Sequence, residues 1–165
     1  MPRIKHKSNI LKVHSARVKR MVNDRRFKRR LSLIPTIRVD RSYDVPYVAG
    51  YSEDGSTIYI DRHLKTKFDR MDVERVIVAH EVVEKALLDL FNLNYQQAHH
   101  IAMYMEHEYA VKNGLDWLKY TKFLYPQMKL IGSEKIKRVP PDLDLEPYED
   151  EKDFDLLKRM KINAR

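Results

Sequence analysis

The fifteen residues Val76–Leu90, VIVAHEVVEKALLDL, combine an apolar helical period with ionisable groups at its centre. At about 100° of rotation per residue, Val73, Val76, Ile77, Leu87, Leu88 and Phe91 form one apolar stripe, which predicts a helix beginning near Val73. His80 and Glu84 fall in the middle of that stripe. A carboxylate on a core-facing line is costly unless a partner neutralises it. A divalent cation is one such partner, because positions i and i+4 stack on one face and let an imidazole and a carboxylate converge on one ion. The alternative is a set of core ion pairs, His80 with a buried acid and Glu84 with an Arg or Lys from elsewhere. Glu81 stands at the edge of the stripe, from which it can reach a water beside the ion without ligating the metal.

The order His80-Glu81-Val82-Val83-Glu84 resembles the HExxH signature of zincin metallopeptidases, in which two ligands flank a glutamate general base. It departs at the second ligand, where Glu84 replaces the usual His. A carboxylate oxygen is an accepted zinc ligand, so one Zn²⁺ is expected and another divalent metal stays open. The resemblance covers residues 55 to 112. It implies a metallohydrolase acting on a peptide or protein, with His80 and Glu84 as ligands and Glu81 as catalytic base.

Upstream, Thr36–Val39 and Tyr47–Tyr51 have the branched and aromatic composition of short strands. Glu53-Asp54-Gly55-Ser56 makes a turn, Asp-Gly being a strong hairpin signal, and Thr57–Asp61 alternates as the returning strand. In zincins the strand before the active-site helix is an edge strand that holds substrate by main-chain pairing. The resemblance therefore implies substrate contacts at Ile58, Tyr59 and Ile60.

Asp69 or Asp72 is placed to cap the metal-bearing helix, and Asn92 or Asn94 to end it. A second helix is predicted from Tyr95 to about Lys112, stopped by Asn113-Gly114. Its core line holds Ala98, Ile101, Ala102, Met105 and Tyr109. His99 and Glu106 lie two turns apart beside that line, whereas His100 and His107 turn away. His99 is therefore expected as third ligand, with Glu106 or His100 as alternatives and Glu106 equally suited to orient an imidazole from behind. Neither helix carries the Glu-x-x-His pair of di-iron bundles, which favours one metal. A third helix is expected from Leu115 to Tyr125, stopped by Pro126, with Trp117 closing the core.

The 165 residues, 43% hydrophobic, suffice for one cored domain with tails. The absence of cysteine leaves only His and carboxylate ligands. No apolar stretch reaches membrane-spanning length and no secretory signal is visible, so a cytoplasmic protein without membrane contact is expected. The net charge of +8 is unevenly placed: residues 1 to 30 hold 12 Lys or Arg against Asp24, a local +11, leaving −3 for the rest. Ile10, Val13, Val18, Met21, Val22 and Phe27 recur at loosely helical intervals between Ser8 and Arg30, so this stretch is expected to form a basic helix with a thin apolar side, able to meet nucleic acid or an acidic protein surface. Beyond Pro140-Pro141 the chain is acidic from Asp142 to Asp155, opposed only by Lys152, and contact between this tail and the basic arm is expected to weaken with salt.

The predicted class is α+β: a small antiparallel sheet with an edge hairpin packed on a two- to three-helix core. The expected units are a basic arm over 1–30, the domain over 31–132 and an acidic linker and tail over 133–165. A non-enzymatic binding protein whose arm meets nucleic acid or an assembly, with a structural or vestigial metal site, is the competing expectation. The sequence does not disclose the oligomeric state.

Overall fold

The computed structural model describes residues 12–164, and the expectations that rest on residues 1–11 lie outside it. The chain is mixed α+β. In order it forms α1 (Ala16–Asn23), α2 (Arg25–Leu31), β1 (Arg38–Asp40), β2 (Ala49–Tyr51), β3 (Thr57–Ile60), β4 (Lys67–Phe68), β5 (Met71–Asp72), α3 (Glu74–Phe91), α4 (Tyr95–Lys112), α5 (Trp117–Ser133), α6 (Glu146–Asp150) and α7 (Phe154–Asn163).

Helix α3 is the axis of the molecule. Every residue from Val76 to Leu88 is buried, so the apolar stripe of the sequence understates its enclosure: α2, α4 and the strands β2 and β3 all pack on it. Asp72 Oδ1 accepts the Glu74 amide at 3.0 Å, which satisfies one free first-turn donor. Asn92 ends the helix in the left-handed conformation, φ 50°. Two residues later Asn94 opens α4 with a reciprocal capping box to Gln97. This short connection lays α4 back along α3.

The hairpin turn at Asp54-Gly55 forms as the sequence predicts, with Gly55 at φ 70° and its amide donating to the Ser52 carbonyl. The sheet around it differs in two respects. Strand order is β1-β3-β2, with β1 parallel to β3 and β2 antiparallel to it, so the sheet is mixed and not wholly antiparallel. Thr57–Ile60 is its buried central strand and not an edge. Both of its main-chain edges are paired, which removes the substrate pairing expected at Ile58, Tyr59 and Ile60. The strand edge nearest α3 belongs to β2.

Pro126 does not stop α5, which runs through it to Ser133. The pyrrolidine ring removes the donor that the Lys122 carbonyl would otherwise accept, a single lost bond in a helix of 17 residues, and Gln127 Nε2 donates to the neighbouring Phe123 carbonyl at 3.2 Å. The same side chain accepts the Lys65 amide at 2.8 Å, tying the helix to the loop before β4.

The basic segment from Ala16 to Leu31 is two short helices and not one, broken where Asp24 caps α2 through the Arg26 and Phe27 amides. It is also part of the core. Val18, Met21 and Phe27 belong to the main apolar cluster, and Phe27 packs on Phe91 at 6.2 Å between ring centroids.

The acidic C-terminal stretch is likewise docked. Val139, Leu143, Tyr148, Leu156, Leu157 and Met160 bury against Val45 and Tyr59 in a second cluster. Asp44 fixes its start by accepting the Lys137 and Arg138 amides at 2.6 and 2.9 Å. Burial raises the Asp44 carboxyl, yet these amides and Arg62 outweigh it and hold the group below the ordinary carboxylate range.

Among the described residues no ion pair joins the acidic stretch directly to α1 or α2, and the part of the expected arm–tail contact that rests on residues 1–11 lies outside them. The link is relayed instead: Arg30 meets Asp89, Lys85 meets Asp89 at 2.9 Å, and Lys85 meets Asp144 at 2.7 Å. No helix among the described residues is long and apolar enough to cross a membrane.

Phe27 distinguishes a docked element from a detachable arm. Phe27→Ala is expected to destabilise the protein by about 3–5 kcal/mol, the usual cost of emptying a buried aromatic site. Chemical denaturation measures it, and a change below about 0.5 kcal/mol, typical of a surface position, would contradict the docking.

Candidate metal centre

Three side chains from the facing surfaces of α3 and α4 meet at one point. His80 and Glu84, one turn apart on α3, bring Nε2 and Oε2 to 3.2 Å. His99, on the second turn of α4, brings Nδ1 to 2.8 Å from the same Glu84 oxygen and 3.2 Å from His80 Nε2. The three donor atoms thus form a compact triangle. Ligands on a tetrahedral ion at about 2.0–2.2 Å stand about 3.3–3.6 Å apart, so the triangle needs to open by only a few tenths of an ångström to seat one. His80, Glu84 and His99 therefore form a group that can hold a metal ion.

The surroundings orient these donors. His80 Nδ1 lies 2.8 Å from Glu106 Oε2, and the Tyr120 hydroxyl donates to Glu106 Oε1 at 2.7 Å. With its Nδ1–H given to Glu106, the imidazole would present an Nε2 lone pair to an ion once its Nε2 proton leaves, the carboxylate–histidine arrangement that fixes tautomer and ring plane at metal sites. The Tyr51 hydroxyl donates to Glu84 Oε1 at 2.9 Å, which leaves Oε2 for the ion. Tyr95 stacks on His99 with ring centroids 5.2 Å apart and brings its hydroxyl to 3.3 Å from Nδ1.

Without an ion, the group is held by protons. Burial lowers the His80 imidazole, but its hydrogen bonds to the Glu106 and Glu84 carboxylates outweigh that and raise the ring well above its ordinary value. Burial raises Glu84, and the hydrogen bonds from His80 and His99 reverse that and depress it. An ion replacing the His80 Nε2 proton supplies the same neutralisation with more charge, so metal uptake is coupled to proton release.

Glu81 is different in kind. It is 8% exposed, lines the cavity beside the three donors, and has no hydrogen-bond or ionic partner among the described residues. Burial and the neighbouring Glu84 push its carboxyl up, with His80 opposing. The cavity measures about 200 Å³. Its walls are apolar and aromatic, from Ile77, Met103, Trp117, Leu124 and Tyr148, and no Lys or Arg lines it.

Of the residues expected from sequence, His80, Glu84 and His99 converge, Glu81 sits beside them, and Glu106 stands behind His80 instead of completing the triangle. His100 is exposed, and His107 packs on Trp117 at 4.9 Å. Ile58, Tyr59 and Ile60 do not line the cavity, whereas Ala49, Gly50 and Tyr51 of β2 do.

Sequence reasoning missed three tyrosines. Tyr95 had a usable signal, being one helical turn before His99. Tyr51 and Tyr120 arrive from β2 and α5, and no spacing within α3 or α4 points to them.

Comparison of the chain with protein-family models, with curated proteins and with solved structures found no match.

Metal affinity tests both layers of the site. His80→Ala or Glu84→Ala is expected to abolish stoichiometric metal retention, and Glu106→Gln to weaken affinity by roughly 10–100-fold, the usual effect of removing an imidazole's outer partner. Competition against a chromophoric chelator measures both. Parental affinity in Glu106→Gln would separate that carboxylate from the site.

Proposed function

We propose that the protein is a zincin-like metallohydrolase acting on peptide bonds, with His80, Glu84 and His99 holding one Zn²⁺ and Glu81 as general base. One observation carries this reading. A largely enclosed glutamate, with no hydrogen-bond partner among the described residues, opens its carboxylate on a cavity directly beside a group of three convergent metal donors. Core ion pairs account for His80, Glu84, His99 and Glu106, which satisfy one another, but they leave Glu81 without a purpose. A base that must accept a proton during reaction accounts for it.

The donor set of two imidazoles and one carboxylate suits zinc, and the same set on other proteins keeps a fourth position for water or substrate. A divalent cation held there supplies Lewis acidity, making a water more acidic and polarising a carbonyl oxygen. The chain's own groups perform the remaining work. Glu81 removes a proton from the attacking water and, once protonated, delivers it to the departing amine. Its burial raises the proton affinity of its carboxylate, which favours the accepting role.

Tyr51 and Glu106 hold Glu84 and His80 in register, so little reorganisation is required as charge develops. The aromatic walls exclude bulk water and strengthen each of these interactions. Substrate lies beside β2. The bonds from Asp61 to Val48 and from Ser52 to Thr57 turn the alternate Ala49 and Tyr51 main-chain groups outward. The Tyr51 carbonyl is taken by the Asp144 amide at 2.9 Å, which leaves Ala49 as the pairing position inside the cavity.

Glu81→Gln separates binding from chemistry. The variant is expected to retain parental zinc content and to lose hydrolysis of a mixed peptide library by roughly 10²–10⁴-fold, the span attributed to general-base catalysis. Turnover at the parental rate in a zinc-loaded Glu81→Gln protein would reject Glu81 as the base.

A further inference from the structure

The basic face of α1 and α2 has no role in the metal site. Val18, Met21 and Phe27 turn into the core, and Lys19, Arg20, Arg25, Lys28 and Arg29 remain exposed on the other side. None of these five cations has an ion-pair partner among the described residues. The only acid on either helix or between them, Asp24, is already engaged by Arg26 and by the α2 amides. Because both helices are anchored by buried side chains, the cations are displayed on a fixed surface and their spacing is set by the fold.

We infer that this face binds the phosphate backbone of duplex nucleic acid, without reading base sequence. Three features select that partner over others. Protein interfaces are built around a desolvated apolar or aromatic anchor, and on these helices Val18, Met21 and Phe27 are buried while Val22 and Leu31 are part-buried against the core, so the cationic side itself offers none. Attachment to a bilayer surface by a helix requires the same apolar residues to face outward. Single-stranded binding relies on exposed rings for base stacking, and the one aromatic residue of the two helices, Phe27, is 0% exposed. What remains is a set of exposed point charges and guanidinium forks, the groups that pair with phosphates.

The test uses the full chain and two fluorescein-labelled duplex DNAs of unrelated sequence, titrated by anisotropy. If the five side chains neutralise five phosphates, the log–log salt slope is about −4.5, and raising salt from about 50 to 200 mM weakens binding roughly 500-fold. Both duplexes are expected to bind within a factor of about 2, since phosphate contacts carry no base information.

Replacing all five by Gln, which preserves helix propensity, is expected to cost at least about 100-fold at the lower salt while leaving circular dichroism and metal content unchanged. The salt slope of the parent stands as a separate measurement should that variant fold poorly. A slope near zero, parental affinity in a folded variant, or equally tight binding to phosphatidylserine vesicles or to polyglutamate would overturn the assignment.

Discussion

Burying carboxylates is the constraint on which this structure depends. Glu81, Glu84 and Glu106 all lie within the facing surfaces of α3 and α4, each less than a tenth exposed. An uncompensated charge in such a place costs several kcal/mol, enough to consume a large part of the stability of a small domain. The fold answers by placing His80 between two of the acids and His99 against one of them. Tyr51 and Tyr120 then take the outer oxygens of Glu84 and Glu106. Among the described residues no buried side-chain polar atom lacks a partner. Glu81 is compatible with that balance because its carboxylate opens on the cavity.

The surrounding architecture follows from the need to enclose α3. A helix buried over thirteen consecutive positions requires cover on every side, and one helix and one small sheet cannot supply it. The two basic helices therefore contribute Val18, Met21 and Phe27, and the acidic terminus wraps over the sheet with Leu143, Tyr148 and Leu156. Lys85 sits at the join. It is 5% exposed and bridges Asp89 on its own helix to Asp144 of the terminal segment, so a buried cation ties the tail to the element that carries the site. Segments whose charge marks them as tails are in this way parts of the core.

Much of the site was legible because helical geometry is local. His80 and Glu84 at i and i+4, and His99 on the core-facing side of the next helix, follow from rotation per residue alone. The Asp54-Gly55 turn, the left-handed Asn92 and the Asn113-Gly114 stop are equally local signals. The misread parts depend on partners distant in sequence. No property of Thr57–Ile60 states that Arg38–Asp40 will pair along its other side and make it central. Pro126 is a helix breaker by propensity, yet α5 runs through it, and the next residue, Gln127, is tied to Lys65 from a loop distant in sequence. The small β4–β5 hairpin turns at Asp69 and Arg70, both with positive φ, where the customary Asn-Gly is absent. The thin apolar side of residues 16–31 is legible, but that Val18, Met21 and Phe27 on it enter the main core depends on partners such as Phe91 that are distant in sequence.

The metal centre is defined by where an ion binds. Anomalous diffraction at the zinc absorption edge, on crystals of the full chain grown with zinc, locates it without reference to activity. A single strong peak bonded to His80 Nε2, Glu84 Oε2 and His99 Nδ1, each at about 2.0–2.2 Å, is the predicted result. Well-ordered α3 and α4 with no peak between them, or zinc bound only at surface carboxylates and histidines, would contradict it and leave the cluster as a set of ion pairs.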